Sequence, residues 1–234
     1  MINEGKSFDE VMSYLSATVR EYTLSIASKI DDSHKVYGVV RGYKEGYLSY
    51  DGLQKHGAIT PSDCEPYNFY LERFRMRYND QLQNPYEGRI ELTRLVPDGE
   101  YPIYDENGKL IRYTKREAMI HPKGESGIEG LNIARELHDK LLSQYADKKI
   151  TAKDLDNINE TIGEIHWVIA HTMPWGRGSD AIANAYVKSL YESLGIKTYP
   201  PKEGISFDLE AFCTNLDDYK KNYKNLYSQN PEIK

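Results

Sequence analysis

Apolar residues recur at helical spacing through the C-terminal half of the chain, and one loop rich in Pro and Gly interrupts them. The stripe before the loop predicts a helix that opens at about Thr151 and ends near Pro174. The stripe after it predicts a helix from Ser179 to Gly195, a residue type that commonly follows the last helical turn. The first stripe consists of Leu155, Ile158, Ile162, Ile165, Val168 and Ile169. Two helices joined by "MPWGRG" are therefore expected.

The same spacing predicts further helices. The first covers residues 8–30, because Ser7 and Glu10 form a capping box and apolar residues follow at helical intervals. The segment 121–127, "HPKGESG", is expected to be a loop. The other predicted helices cover about 64–82, 128–146 and 207–227.

A different pattern occupies the middle of the chain. Residues 89–96 alternate between apolar and polar, and residues 101–114 form two such arms around Asn107 and Gly108. Asn-Gly between alternating arms strongly favours a β-hairpin. We therefore expect a single domain over the whole chain, with a β-hairpin flap at about 86–120.

Composition excludes several classes of function. The net charge of −6 argues against bulk attraction to nucleic acid or anionic lipid. No run approaches the roughly 18 apolar residues of a membrane span. The first ten residues lack the apolar core of a Sec-type signal peptide, and Ile2 excludes N-myristoylation. Cys64 and Cys213 are isolated, which suits a reducing compartment, and no histidine shows metal-ligand spacing. No metal site is expected.

The loop between the two C-terminal helices carries residue types that suit an anion site. Gly176 and Gly178 would let the backbone approach a ligand closely. The helix that begins at Ser179 would present unpaired N–H groups and the positive end of its dipole, which together favour a phosphate. Arg177 could bind the same phosphate with two parallel hydrogen bonds. His171, just before the loop, is a candidate base or proton donor.

An ordinary helix–loop–helix explains the same residues. In that interpretation Ser179 caps a helix, the glycines form a turn and Arg177 is solvated. A lone Gly-x-Gly pattern is weak and does not decide between the two interpretations.

The spacing of His171, Gly176 and Gly178 resembles the Fic motif, His-Pro-Phe-x-x-Gly-Asn-Gly-Arg. In that motif the His deprotonates a target hydroxyl and the glycine loop holds the phosphates of a nucleotide. The chain departs from the motif at most other positions, with Arg177 in place of Asn and Ser179 in place of the first Arg. These departures argue against adenylylation in the usual Fic manner.

A closer resemblance is to the AvrB-like family of bacterial effectors, and it covers residues 162–227. The chain there reads "EIHWVIAHTMPWGRGSDAIANAYVKSLYESLGI", then "FDLEAF" and "YKKNYKNL". The shared residues are His166-Trp167, Met173-Pro174, Arg177-Gly178-Ser179, and Asp208 with Glu210-Ala211. Upstream, Asn84-Pro85-Tyr86 and the hairpin follow the order of the family, whereas the first 80 residues show no alignment.

That family has the Fido fold, the helical core of Fic and Doc proteins. The resemblance therefore implies a mainly α fold, a Fido-like helical bundle with a small β-hairpin insertion. It also implies a transferase that moves a deoxysugar from a nucleotide-sugar donor to a Thr hydroxyl of a host protein. The nucleotide sugar is a co-substrate, and no cofactor is expected. Such an effector is secreted into the host cell cytoplasm, where its partners are a host protein or peptide and a nucleotide-type small molecule.

The resemblance also implies roles for individual residues. Arg177 and Asp208 correspond to pocket residues of the family, so Arg177 and the surrounding residues 176–179 would hold the donor phosphates. Asp208 would orient the sugar or support its positive charge, and Tyr86 would line the donor pocket. His171 has no counterpart in that family, and it would take the proton of the acceptor hydroxyl.

Two alternatives stay open. One is Fic-like transfer of a nucleotide, with His171 as the base. The other is a non-catalytic module that binds a host peptide in the same cleft. The mass added to a target protein distinguishes all three functions.

Overall fold

The computed structural model describes residues 1–27, 30, 32–42, 47–49, 82–96, 102–104, 109–113 and 118–234. Within these ranges the protein is mainly helical, as predicted. The helices are α1 (Phe8–Ile26), α2 (Asp32–Lys35), α3 (Gly124–Tyr145), α4 (Leu155–Thr172), α5 (Ser179–Ser193), α6 (Phe207–Phe212) and α7 (Leu216–Asn222). Short 3-10 helices lie at Ile2–Glu4 and Tyr223–Leu226. The strands are β1 (Tyr47–Ser49), β2 (Arg94–Val96), β3 (Pro102–Tyr104), β4 (Leu110–Tyr113), β5 (Ala118–His121), β6 (Ile196–Lys197) and β7 (Glu232–Ile233).

Helix α4 lies at the centre of the core. It contacts α3, α5, α6 and α7, and it is buried on nearly every side, as expected for a helix surrounded by protein. At the predicted opening, Thr151 donates hydrogen bonds to Asp154 in a turn, and the helix begins at Leu155. The predicted end near Pro174 is confirmed, because the helix ends at Thr172.

Helix α1 confirms the capping box but is shorter than predicted. Ser7 accepts a hydrogen bond from the Glu10 amide, and the Glu10 carboxylate accepts one from the Ser7 amide. The helix ends at Ile26 rather than at residue 30, because the backbone becomes extended at Ala27. Only residues of its first turns are buried, whereas Ile26 is 63% exposed. Its C-terminal part therefore has little apolar packing to extend it.

Helix α3 begins at Gly124, inside the segment that we expected to be a loop. Three of its glycines let it approach the end of α4 and the chain at residue 42. A Cβ on Gly124 would lie 2.1 Å from the Gly42 carbonyl oxygen, and one on Gly130 would lie 2.3 Å from Thr172 Oγ1. Close packing therefore overrides the low helix propensity of glycine.

The predicted helix at 207–227 is divided into α6, α7 and a 3-10 turn. The division lies at residues 213–215, where the Thr214 carbonyl accepts a hydrogen bond from Trp167 Nε1 at 2.9 Å. Phe212 and Tyr223, on either side of the division, are both buried in the core.

The predicted β-hairpin is confirmed at its strands. β3 and β4 pair antiparallel, while Asn107 and Gly108 lie outside the described residues. Of the alternating segment 89–96, only β2 is a strand, and it joins β1 and β5 in an antiparallel sheet of order β1-β5-β2. β6 pairs with β7.

The structure does not test the helix predicted at 64–82 or the single domain predicted over the whole chain. The helix predicted at 64–82 falls outside the described residues. The single domain over the whole chain stays a prediction. Among the described residues, no helix combines the length and apolar character needed to cross a membrane.

Candidate functional site

The loop between α4 and α5 is held by a segment from the N-terminal part of the chain. The Gly176 amide donates to the Val39 carbonyl at 2.9 Å, and the Gly38 amide donates to the Arg177 carbonyl at 3.1 Å. Trp175 is buried in the core. These contacts fix the path of the loop, because each pairs its backbone with residues more than 130 positions away in sequence.

A buried arginine closes the C-terminal end of α4. The guanidinium of Arg41 donates at 2.7 Å to the carbonyls of Thr172, Met173 and Pro122. The last carbonyls of a helix have no partner within the helix and carry its negative dipole end, so a cation stabilises them. Sequence reasoning missed Arg41, because its partners are distant in the chain.

The glycines of the loop face protein. A Cβ on Gly176 would lie 3.0 Å from Val36 Cβ, and one on Gly178 would lie 3.0 Å from the Tyr37 ring. Gly178 also has φ +84°, a conformation that other residues rarely adopt. The glycines therefore accommodate the segment at residues 36–37, and no phosphate has space on that side.

Ser179 is engaged within the turn. Its hydroxyl accepts from the Trp175 amide at 3.2 Å and donates to the Trp175 carbonyl at 3.3 Å, and the residue is buried. Of the four residues expected at a phosphate, only Arg177 has an exposed side chain. Its guanidinium lies over the Tyr37 ring, 5.3 Å from the centroid, and it forms no ion pair within the described ranges.

His171 lies in the core rather than in a cleft. Its Nε2 donates to the Ala211 carbonyl at 3.1 Å, and its ring contacts those of Trp167 and Phe212. Burial lowers the pKa of His171 to about 3. The side chain is therefore neutral and has no path to a substrate hydroxyl, so this geometry favours a packing role.

Two carboxylates come together where α5 and α6 begin. Asp180 lies in the first turn of α5 and accepts from Asn184 Nδ2 at 2.9 Å. Asp208 lies in the first turn of α6 and accepts from the Ser206 hydroxyl at 2.5 Å and from the Leu209 amide at 2.7 Å. Among the described residues, no Lys or Arg pairs with either carboxylate.

The proximity of the two carboxylates changes their ionisation. Burial, and then the charge of Asp208, raise the pKa of Asp180 to about 7. Burial likewise raises the pKa of Asp208. Sequence reasoning missed Asp180, because an acidic residue in the first turn of a helix is commonplace.

A cleft of about 410 Å³ opens beside Asp180. One wall is the face of α5 that carries Asp180, Asn184, Val187 and Lys188. The other wall is formed by residues 198–201 and 205–207 and by Tyr227. Volumes of roughly 300–1,000 Å³ are typical of sites that bind small ligands.

Tyr86 is placed elsewhere. Its hydroxyl donates to Glu164 Oε1 at 2.7 Å, and Glu164 also pairs with Lys220 at 2.5 Å. Burial and the Glu164 carboxylate raise the pKa of Tyr86. Tyr86 is therefore engaged with Glu164 on α4, and it does not line the cleft beside Asp180.

The sequence comparison bears on the same region. Residues 116–230 match the AvrB_AvrC family, described as avirulence protein. This part of the chain is AvrB-like. The AvrB-like region contains β5, the helices α3 to α7, the loop with Arg177 and both carboxylates. The match confirms the resemblance over this part of the chain and supports an avirulence effector.

No curated protein matches the chain in a sequence comparison. In the described part of the chain, no group of three or more His, Cys, Asp or Glu residues could hold a metal ion.

Proposed function

We propose that this avirulence effector transfers a sugar from a nucleotide-sugar donor to a hydroxyl group of a host protein inside the host cell. The observation that carries the proposal is the interacting pair of Asp180 and Asp208, of which Asp180 lines the cleft, with no Lys or Arg paired to either carboxylate among the described residues. The AvrB-like match supports an effector acting on a host. The resemblance described above supports a deoxyhexose as the sugar.

In such a transfer, the bond between the anomeric carbon and the diphosphate oxygen breaks, and its electron pair leaves with the diphosphate. A new bond forms between the anomeric carbon and the acceptor oxygen. Positive charge develops on the sugar ring, and the carboxylate of Asp208 would stabilise it. Arg177, exposed and three residues before Asp180, would stabilise the negative charge of the leaving diphosphate.

The hydroxyl proton needs an acceptor, and Asp180 suits this role better than the buried His171. A general base is most effective when its pKa lies near the working pH, and the pKa of Asp180 is about 7. Its hydrogen bond from Asn184 fixes one carboxylate oxygen and leaves the other for the acceptor hydroxyl. The proton would thus move from the acceptor oxygen to Asp180 as the new bond forms.

The test is mass spectrometry of host-cell lysate incubated with the protein and a panel of nucleotide sugars. A hexose or deoxyhexose mass on a host protein is expected. A nucleotide mass would support Fic-like transfer instead, and the absence of any adduct would leave a binding module.

Two matched variants sharpen this test. Asp180→Asn should lower the transfer rate by about 10²-fold or more, the usual contribution of a general base. Asp147→Asn removes an exposed acid in the turn after α3 and should leave the rate unchanged. If Asp180→Asn transfers sugar at the parent rate, Asp180 is not the base.

A further inference from the structure

The cleft beside α5 carries opposite charges at its two ends. Asp180 lies at one end, and Lys188 lies at the other. Eight residues along a helix correspond to about 12 Å. Lys188 is exposed and forms no ion pair within the described ranges, so its ammonium group is available to a partner.

The lining between the charged ends combines apolar and polar side chains. Its apolar surface comes from Val187 on α5 and from Pro200, Pro201, Ile205 and Phe207 on the other wall, and Asn184, Thr198, Tyr199 and Ser206 lie beside them. Prolines fix the backbone at these positions and offer no amide N–H to a ligand. A ligand that fills the cleft can therefore place apolar groups in its middle and a negative charge at the Lys188 end.

We propose that this cleft binds an extended segment of the acceptor protein, with the hydroxyl to be modified at Asp180 and an acidic side chain at Lys188. The position of the hydroxyl rests on the proposed function. An extended chain advances about 3.3 Å per residue, so about 12 Å separates residues that are three or four positions apart. The substrate class is therefore a Ser or Thr, an Asp or Glu three or four residues away, and apolar residues between them.

Charge also decides which segments the cleft rejects. A basic residue in place of the acidic one would be repelled by Lys188, and an acidic residue next to the hydroxyl would be repelled by Asp180 and Asp208. The two ends thus fix the direction and spacing of the bound segment, while the apolar wall contributes the contact area.

The test compares short fluorescent peptides that contain Thr, two or three apolar residues and then Glu, with the same peptides carrying Gln. Binding is followed by fluorescence anisotropy without any sugar donor. The Glu peptide should bind roughly threefold to tenfold more tightly, as expected for one partly exposed ion pair. The difference should shrink as salt is added. Equal binding of the Glu and Gln peptides would overturn the proposal.

A charge reversal provides the second variant. Lys188→Glu should abolish the preference for Glu and create one for a peptide with Lys at that position. Since Lys188 is exposed, this change should leave the fold intact, and a melting curve checks that. Lys140→Glu, at an exposed position on α3, should keep the parent preference. A Lys188→Glu protein that still prefers Glu would also overturn the proposal.

The two proposals fail in different ways. Selective peptide binding without sugar transfer contradicts the proposed function and supports the specificity of the cleft. Sugar transfer to proteins without any preference for the acidic residue contradicts the cleft proposal alone.

Discussion

The first turn of α5 has protein on one side and an open cleft on the other. On the glycine side, Val36 and Tyr37 occupy the space next to Gly176 and Gly178. On the other side, Asp180 borders a cavity and has no cationic partner among the described residues. The two sides are a few residues apart in sequence, yet only the second has room for a ligand.

This difference shows that glycines and buried carboxylates indicate different things about a site. Glycine at a helix start indicates that something comes close to the backbone, and here that is another segment of the same chain. A partly buried carboxylate without a counter-charge is costly for the fold, and such groups cluster at functional sites. The carboxylates are therefore the better guide to the site.

The largest expected effect is a loss of folding stability when the contacts of Arg41 at the end of α4, next to the glycine loop, are removed. Arg41→Met removes three hydrogen bonds from buried carbonyls, and each unsatisfied group costs about 1–3 kcal/mol, so we expect a loss of about 3 kcal/mol or more. Urea unfolding measures it. Arg89→Met is the control, because Arg89 forms exposed ion pairs with Glu129 and Glu136 that are worth little. Similar losses for the two variants would contradict a special role of Arg41.

The next effect is on donor binding, and it concerns Arg177, which lies between Gly176 and Gly178 and three residues before Asp180. Arg177→Ala should weaken donor binding by about 2 kcal/mol, and Arg177→Lys should recover only part, because lysine keeps the charge without the two-pronged geometry. Stability should barely change, since Arg177 is exposed. Isothermal titration with the donor found in the transfer assay measures this, with Arg20→Ala as the control at another exposed arginine. Parent-like donor binding by Arg177→Ala would mean that the loop is only a turn.

A smaller effect separates close packing from backbone strain. Gly178 and Gly204 both have positive φ, but a Cβ at Gly178 would lie 3.0 Å from Tyr37 whereas Gly204 has nothing within 4 Å. Both Ala variants should lose about 1 kcal/mol from strain, and Gly178→Ala should lose further stability because Tyr37 must move. Thermal unfolding compares them. Equal losses would mean that the segment at residues 36–37 yields easily.

The sequence was sufficient for features that depend on neighbours in the chain. The capping box at Ser7 and Glu10, the strands of the hairpin and the end of α4 are all set within a few residues, and all are confirmed. The start of α3 at Gly124 and the break after Phe212 were missed, because Gly124 packs against Gly42 and the break is bonded to Trp167 of α4, and both partners are distant in sequence. Local propensity cannot report such contacts.

The site was predicted less well for the same reason. Arg177 is exposed over the Tyr37 ring and Asp208 interacts with Asp180, but of these residues only Asp180 lines the cleft, so the roles that the family resemblance implied stay predictions. His171 has the spacing of a catalytic histidine, but α4 is buried on nearly every side, so spacing alone could not reveal its burial. Asp180 became visible only when Asp208, distant in sequence, was placed beside it.

The smallest effect tests the cleft side through pH. The pKa of Asp180 is about 7 in the folded protein against an ordinary value of 3.8, so between these values the folded state holds a proton that the unfolded state has lost. This contribution to stability is present below pH 3.8 and is lost as the pH rises through about 7. Asp180→Asn removes the dependence.

The Asp180→Asn protein should therefore gain stability over the parent at about pH 8, and gain less at about pH 5. The gain should be modest, because the carboxylate borders an open cleft where water can reach it. Urea unfolding at both pH values measures it, and Asp147→Asn should show no such difference. A gain that is the same at both pH values would mean that Asp180 ionises normally, and the base for sugar transfer would then have to be sought elsewhere.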